Sequence, residues 1–247
     1  MINIRTDAEV ELIRESGRLV AGALDLAAEM VAPGVDTGAL DREIEKYIVG
    51  SGATPEFKGF HGYPAAICAS INEEVVHGIP GTRRLQAGDI IGVDVGVRMN
   101  GYVADGARTF AVGGIDAETQ RLVGVTREAL AQAIGLVREG VHLSDISHAV
   151  QSVAEEAGFS VVRELAGHGV GTQLHEPPEI PNYGNPGRGP VLKAGMILAI
   201  EPMINAGSAA VETLADMWTV VTADRRRSAH FEHTVAVTAN GADILTQ

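Results

Sequence analysis

Apolar residues recur at helical spacing from residue 7 to residue 30, through Leu12, Val20, Leu24, Leu26 and Met30. The run opens on Thr6-Asp7-Ala8-Glu9. A threonine followed three residues later by a glutamate is a capping box, in which hydroxyl and carboxylate satisfy the free amides at a helix start. Ala32-Pro33-Gly34 ends this helix, because proline has no amide to donate and glycine tolerates the closing turn. The same spacing predicts helices over 38–50, stopped by Gly50 and Gly52, over 117–138, and over 144–157 with Ser144 as its N-cap. Between the helices lie β-branched runs: IIGVDVGV at 90–97, YVADGARTF at 102–110, MILAIEPMI at 196–204 and HFEHTVAV at 230–237. These read as strands.

The two helix pairs match each other. Val31, Gly34, Val35, Leu40 and Gly52 recur at a constant offset as Val137, Gly140, Val141, Ile146 and Gly158. With a slip of about one residue the match continues into the strands, where Asp94 falls on Glu201. Asp105 and Glu232 each precede an apolar stretch, and His77 falls near His175 beside a Gly/Pro-rich turn. The period is far too long for a solenoid. Two similar halves, about 6–112 and 113–246, instead predict one pseudo-symmetric α/β domain over residues 1–247. Its helices cover one face of a curved sheet and its other face forms a cleft.

That symmetry changes the meaning of the acids. A carboxylate in an apolar strand is costly unless it is paired or coordinates a metal. Here Asp94, Asp105, Glu201 and Glu232 all interrupt strand patterns, and Arg108 is the only cation close to them in sequence. The stretch GHGVGTQLHEPP adds His168 and His175, and its glycines and prolines argue against a helix. Four carboxylates with imidazole describe a site for two divalent cations, which a bridging carboxylate holds about 3.5–4 Å apart. Oxygen and nitrogen donors without sulfur suit manganese, iron, cobalt or zinc. Such a pair acidifies water and polarises a carbonyl, so the residues by themselves reach hydrolysis of an amide, ester or phosphoester.

Composition narrows the setting. The chain has 247 residues, 45% hydrophobic and 21% charged, enough for a substantial core. It has no apolar run long enough to span a membrane and no apolar signal core near its start, so a cytoplasmic protein is expected. Its single cysteine, Cys68, excludes an internal disulfide and a thiolate cluster. A net charge of −13 argues against nucleic acid as a main partner. The one basic run, Arg225-Arg226-Arg227, reads as a solvated turn.

Taken together, ASINEEVVHGIP, GVDVGVRMNGYVADGARTF, ELAGHGVGTQLHEPP, AIEPM and FEHTV resemble the type I methionine aminopeptidases, from about residue 6 to 246. The resemblance implies the pita-bread fold: a curved antiparallel sheet covered by two helix pairs, with a dinuclear metal site in the concave cleft. It implies that Asp94, Asp105, His168, Glu201 and Glu232 are metal ligands, with Asp105 and Glu232 bridging. Glu201 would also accept a proton from the attacking water, and His77 and His175 would contact the substrate and stabilise the tetrahedral intermediate. Phe57, Phe60, Tyr63, Cys68, Leu174 and Trp218 would form the pocket for an unbranched thioether side chain.

The implied substrates are N-termini of nascent chains with a small second residue, and the implied protein is a monomer. Transient ribosome contact through Arg225–Arg227 is a further expectation, and this chain's own Met1-Ile2 start should keep its methionine. The short segment between Glu201 and Glu232, and a start directly at the first helix, fit the short bacterial form. Three positions depart from the common pattern. Phe57 should tighten the pocket rim, Gly106 should loosen the backbone after Asp105, and Leu174 replaces a frequent aromatic. The rivals are an X-prolyl aminopeptidase or prolidase of the same fold, and a non-catalytic binding module.

Overall fold

In the computed structural model, which describes residues 2–247, Thr6 caps helix α1 (Asp7–Met30). Its hydroxyl accepts from the Glu9 amide, and the Glu9 carboxylate accepts from the Thr6 amide at 2.9 Å. The Asp36 carboxylate caps α2 (Thr37–Gly50) by accepting from the Ala39 amide, and Asp116 caps α3 (Ala117–Leu136) by accepting from the Thr119 amide. The fourth helix, α4 (Leu143–Glu156), has His142 at its N-cap, not Ser144. Ser144 lies inside the first turn, where its hydroxyl donates to the Arg188 carbonyl and accepts from the Arg188 amide. Its side chain is engaged by a distant loop, and the Asp145 carboxylate accepts from the His142 amide instead.

The strands of the first half are β1 (Thr54–Pro55), β2 (Cys68–Ile71), β3 (Glu74–Val76), β4 (Ile90–Met99) and β5 (Tyr102–Ala111). Those of the second are β6 (Ser160–Val161), β7 (Ala166–Gly169), β8 (Glu176–Pro181), β9 (Ile197–Ile200), β10 (Met203–Asn205), β11 (Val211–Thr213), β12 (Val220–Thr222), β13 (Ser228–His230), β14 (Glu232–Val237) and β15 (Ala242–Ile244). The main sheet has nine strands in the order β1-β4-β5-β14-β9-β7-β8, with β2 also on β4 and β15 on β14. Its pairings are antiparallel. The halves join where β14 pairs β5, with Glu232 opposite Ala107.

Each half has its own apolar core. Ile13, Val20, Leu24 and Ala27 of α1 are fully buried, packed with Val93, Val95 and Val97 of β4. Leu122, Ala129 and Ala133 of α3 and Ile146 of α4 pack with Leu198, Ile200 and Val235 in the second core. Each fully buried leucine or isoleucine contributes about 1.5–3 kcal/mol. The helices thus take one face of the sheet and leave the other for a cleft. No described helix is long and apolar enough to cross a membrane.

Two strand expectations fail in part: HFEHTVAV breaks at Phe231, with β13 ending at His230 in a three-stranded sheet and β14 beginning at Glu232 in the main sheet. MILAIEPMI is not continuous: β9 ends at Ile200, and β10 begins at Met203 in a different, three-stranded sheet with β13 and β6. Pro202 has no amide for the ladder, so the chain switches sheets at Glu201-Pro202. Glu201 sits in that break, whereas Asp94, Asp105 and Glu232 are borne on strands.

Candidate active site

The hairpin β4–β5 sets the first two acids. Asp94 lies opposite Ala107 and Asp105 opposite Gly96, so the two carboxylates are diagonal neighbours on one face. Glu232 also lies opposite Ala107, one strand further on, which brings it to the same face. His168 is paired with Ala199 on β9, two residues before Glu201. The Thr234 hydroxyl accepts from the Asp105 amide at 3.0 Å and fixes β14 against β5 at this level.

The result is a dense cluster. His168 Nε2 stands 3.5 Å from Glu201 Oε1 and 4.0 Å from Asp105 Oδ2. Ligand atoms of Asp105, His168 and Glu232 all lie within 4.8 Å of one another. Asp105, His168 and Glu232 are buried. Arg108, the nearest cation in sequence, points elsewhere and pairs with Asp25 at 2.7 Å.

Among the described residues no lysine or arginine pairs with these acids, and the Gly106 amide donates to Asp105 Oδ1 at 2.9 Å. Burial, with the neighbouring Asp105 and Glu201 charges, holds the Asp94 carboxyl well above its usual range. Burial pushes Asp105 up to about 7. It raises Glu201 too, with Asp105 adding to the effect, and Glu232, with Asp105, Glu201 and Asp94 adding. The imidazoles move the opposite way. Burial, then His175, pushes His168 down to about 4, and the same causes bring His77 to about 4. Neutral histidines cannot offset the acids. Asp94 Oδ1 and Glu232 Oε1 are buried without any hydrogen-bond partner. Orphaned carboxylate oxygens aimed at one volume, with a neutral imidazole beside them, fit divalent cations.

Beside the cluster is a small pocket with about 100 Å³ of free space, lined by Phe57, Phe60, Tyr63, Cys68, Leu174 and Trp218 and floored by the acids. Tyr63 and Trp218 meet edge to face at 5.0 Å. The Tyr63 hydroxyl donates to the Gly78 carbonyl at 2.9 Å. Phe57 is buried against Gly96, where a Cβ would stand 2.6 Å from its ring. Burial raises the Cys68 thiol well above its ordinary value, so it is an apolar wall and not a nucleophile. His77 and His175 stand at the mouth, where the pocket meets a wider cleft of about 600 Å³. The rings of His168 and His175 are 4.4 Å apart, and Phe60 meets His175 edge to face at 5.3 Å.

Every site residue expected from sequence therefore lines this one pocket. At Gly106, where a looser backbone is expected, the strand is continuous. Gly106 is paired on both sides, to Val95 and His233, and a Cβ there would stand 2.9 Å from Val20 of α1. A small residue is needed where the helix crosses close. Sequence reasoning missed His230, buried on β13 with Nε2 3.6 Å from Glu201 Oε2 and no hydrogen-bond partner. Burial, then His77, pushes it down to about 3. The available signal was its place two residues before Glu232 in HFEHTV.

The model of metallopeptidase family M24 matches residues 11–239. The chain belongs to that family. It is 51% identical to methionine aminopeptidase 1 of Bacillus subtilis (strain 168) over 247 residues, the full length of both. The crystal structure of methionine aminopeptidase from Thermotoga maritima superposes with a TM-score of 0.99 at 46% identity, each chain covered completely. Prolidase from Pyrococcus furiosus matches 99% of this chain but 65% of its own, with a TM-score of 0.81 at 24% identity, a likeness of fold. The chain therefore has the pita-bread fold and groups with the methionine aminopeptidases, metal-dependent hydrolases that remove an N-terminal methionine.

Proposed function

We propose that this enzyme removes the initiator methionine from nascent chains whose second residue is small, using two divalent ions. The observation that carries the reading is the union of a small apolar pocket, a cluster of uncompensated acids and a wider cleft, in that order. One side chain enters the pocket, the first peptide bond lies over the acids, and the rest of the substrate leaves through the cleft.

Asp94, Asp105, His168, Glu201 and Glu232 would hold the ions, with Asp105 and Glu232 shared between them. Ions so held supply a Lewis acid for the carbonyl and lower the pKa of water. Phe57, Phe60, Tyr63, Cys68, Leu174 and Trp218 bind the methionine side chain, whose unbranched thioether suits a narrow aromatic slot. Glu201, which has no bridging duty, takes the proton from the attacking water and passes it toward the leaving amine. His77 and His175 are held neutral, so each can donate one N–H to the tetrahedral oxyanion. A large second side chain would collide with the walls beside the acids. The identity of the ions follows the donor set only as far as manganese, iron, cobalt or zinc.

We place the enzyme in the cytoplasm as a monomer, acting on N-termini that emerge during synthesis. For Arg225–Arg227, each guanidinium already meets an acid of its own chain: Glu212, Glu118 and Asp116. Contact with ribosomal phosphates there requires exchange of three ion pairs. Met1 lies outside the described residues, and retention of methionine at the Met1-Ile2 start is checked by intact mass.

The deciding experiment strips the protein of metal and titrates it with manganese, cobalt, iron or zinc against Met-Gly-Met-Met, Met-Leu and Leu-Pro peptides. Metal-dependent release of methionine from the first alone is expected. Cleavage of the Leu-Pro peptide would move the chain to X-prolyl chemistry, and no cleavage with any bound ion would leave a binding module.

A further inference from the structure

His175 and Leu174 sit on a loop, yet one places a donor over the acids and the other forms a pocket wall. What fixes that loop is the residue that follows them. The Glu176 carboxylate is buried and accepts six contacts. The Thr172 amide (2.8 Å), the Thr172 hydroxyl (3.0 Å) and the Gln173 amide (3.1 Å) converge on Oε1. Arg5 Nη2 reaches both oxygens at 2.6 Å, and Asn3 Nδ2 reaches Oε2 at 2.6 Å. The loop is thus wound around one carboxylate from inside and clamped from outside by the N-terminal segment.

The clamp is itself anchored. The Arg5 amide donates to the Gly195 carbonyl at 2.7 Å, and the Val103 amide donates to Gly171 at 2.7 Å. Gly171 has no Cβ because one would collide with the Arg5 guanidinium. Neither Asn3, Arg5 nor Glu176 reaches the pocket beside the acids, and of the three only Glu176 borders the wider cleft.

We propose that Glu176 is a positioning residue for His175 and Leu174, and that Asn3 and Arg5 make the N-terminal segment part of the active-site framework. This rests on the reading of His175 as the group that faces the scissile peptide. Displacing such a group by about 1 Å costs on the order of 10²-fold in rate.

The test is a double-mutant cycle on Met-Gly-Met-Met hydrolysis, with kcat, KM and bound metal measured for each folded variant. Glu176→Ala should lower kcat/KM by about 10²-fold with its metal content unchanged. In a His175→Ala background the same change should lower kcat by less than about twofold, leaving only a rise in KM from the displaced Leu174 wall. Arg5→Ala should follow Glu176→Ala in direction, and Arg5→Lys should recover part of the loss. If Glu176→Ala does not fold, Asn3→Ala and Arg5→Lys are carried through the same cycle. An equal loss of kcat in both backgrounds, or wild-type kcat/KM in a folded variant, overturns the proposal. Wild-type activity in His175→Ala would instead remove the reading of His175, and the proposal with it.

Discussion

Glu176 and the acids of the cleft are both withdrawn from water, and they solve burial in opposite ways. Around Glu176 the protein supplies donors from the loop itself and from Asn3 and Arg5. Burial alone would raise that carboxyl, but the Asn3 and backbone hydrogen bonds and the Arg5 charge bring it below its ordinary value. Around Asp94, Asp105, Glu201 and Glu232 the protein supplies almost nothing, and all four carboxyls are raised. A buried acid surrounded by donors belongs to the scaffold. A group of buried acids left without them is arranged for a cation that is not a side chain.

The comparison is broken most severely at the cleft. Glu201→Gln should reduce methionine release by about 10²–10⁴-fold, the range for loss of a general base, and chelation of the metals should do at least as much. Loss below tenfold in a peptide assay would remove Glu201 from proton transfer. At Glu176 a loss of stability accompanies the loss of activity. Glu176→Ala strands the Arg5 guanidinium, itself 10% exposed, and should cost about 3 kcal/mol in chemical denaturation, as breaking a buried pair does. Asp105→Asn in the metal-free protein should do the opposite and stabilise by about 1–3 kcal/mol, since it removes an uncompensated charge. A metal-free Asp105→Asn that melts below the metal-free wild type would contradict the reading of the cluster.

The pH dependence should differ in sign between the regions. Folded Asp105 is pushed up to about 7, so between the unfolded carboxylate value and 7 the folded chain binds more protons than the unfolded one. Metal-free stability should therefore fall as pH rises through that window. Folded Glu176 lies below its ordinary value, so its contribution is complete above that value and lost as pH falls through the folded one. Thermal melts of the stripped protein from pH 3 to 8 should decline at both ends, and added divalent ion should restore the alkaline side only. A flat profile above pH 5 without metal would show that the cluster does not ionise there. The smallest effect belongs to the exposed pair Arg18–Glu11, where Arg18→Ala should change stability by less than about 1 kcal/mol.

Most of the site was legible because its chemistry is visible against its background. Asp94 inside IIGVDVGV and Glu232 inside HFEHTVAV stand out, since a charge in an apolar strand needs a reason. Their spacing, repeated across two halves, and the family resemblance then assigned roles that no single residue carries. His230 was not legible in this way, because a histidine near the end of a short strand has no pattern to violate. The helix starts at Thr6, Asp36 and Asp116 rest on local capping, but the start of α4 at His142 depended on a loop that captures Ser144.

By itself the sequence determined the helices, most of the apolar strands and the presence of unexplained acids, because these follow from periodicity and local hydrogen bonding. The family resemblance added the residues of the pocket. Only the tertiary structure decided that Glu201 sits in a strand break, that Gly106 makes room for α1, and that Arg108 faces away from the acids. It alone showed that Glu176 is clamped from the N-terminus. Those outcomes depend on which distant groups come within a few ångströms, and close approach across long separations is set by packing, not by local pattern.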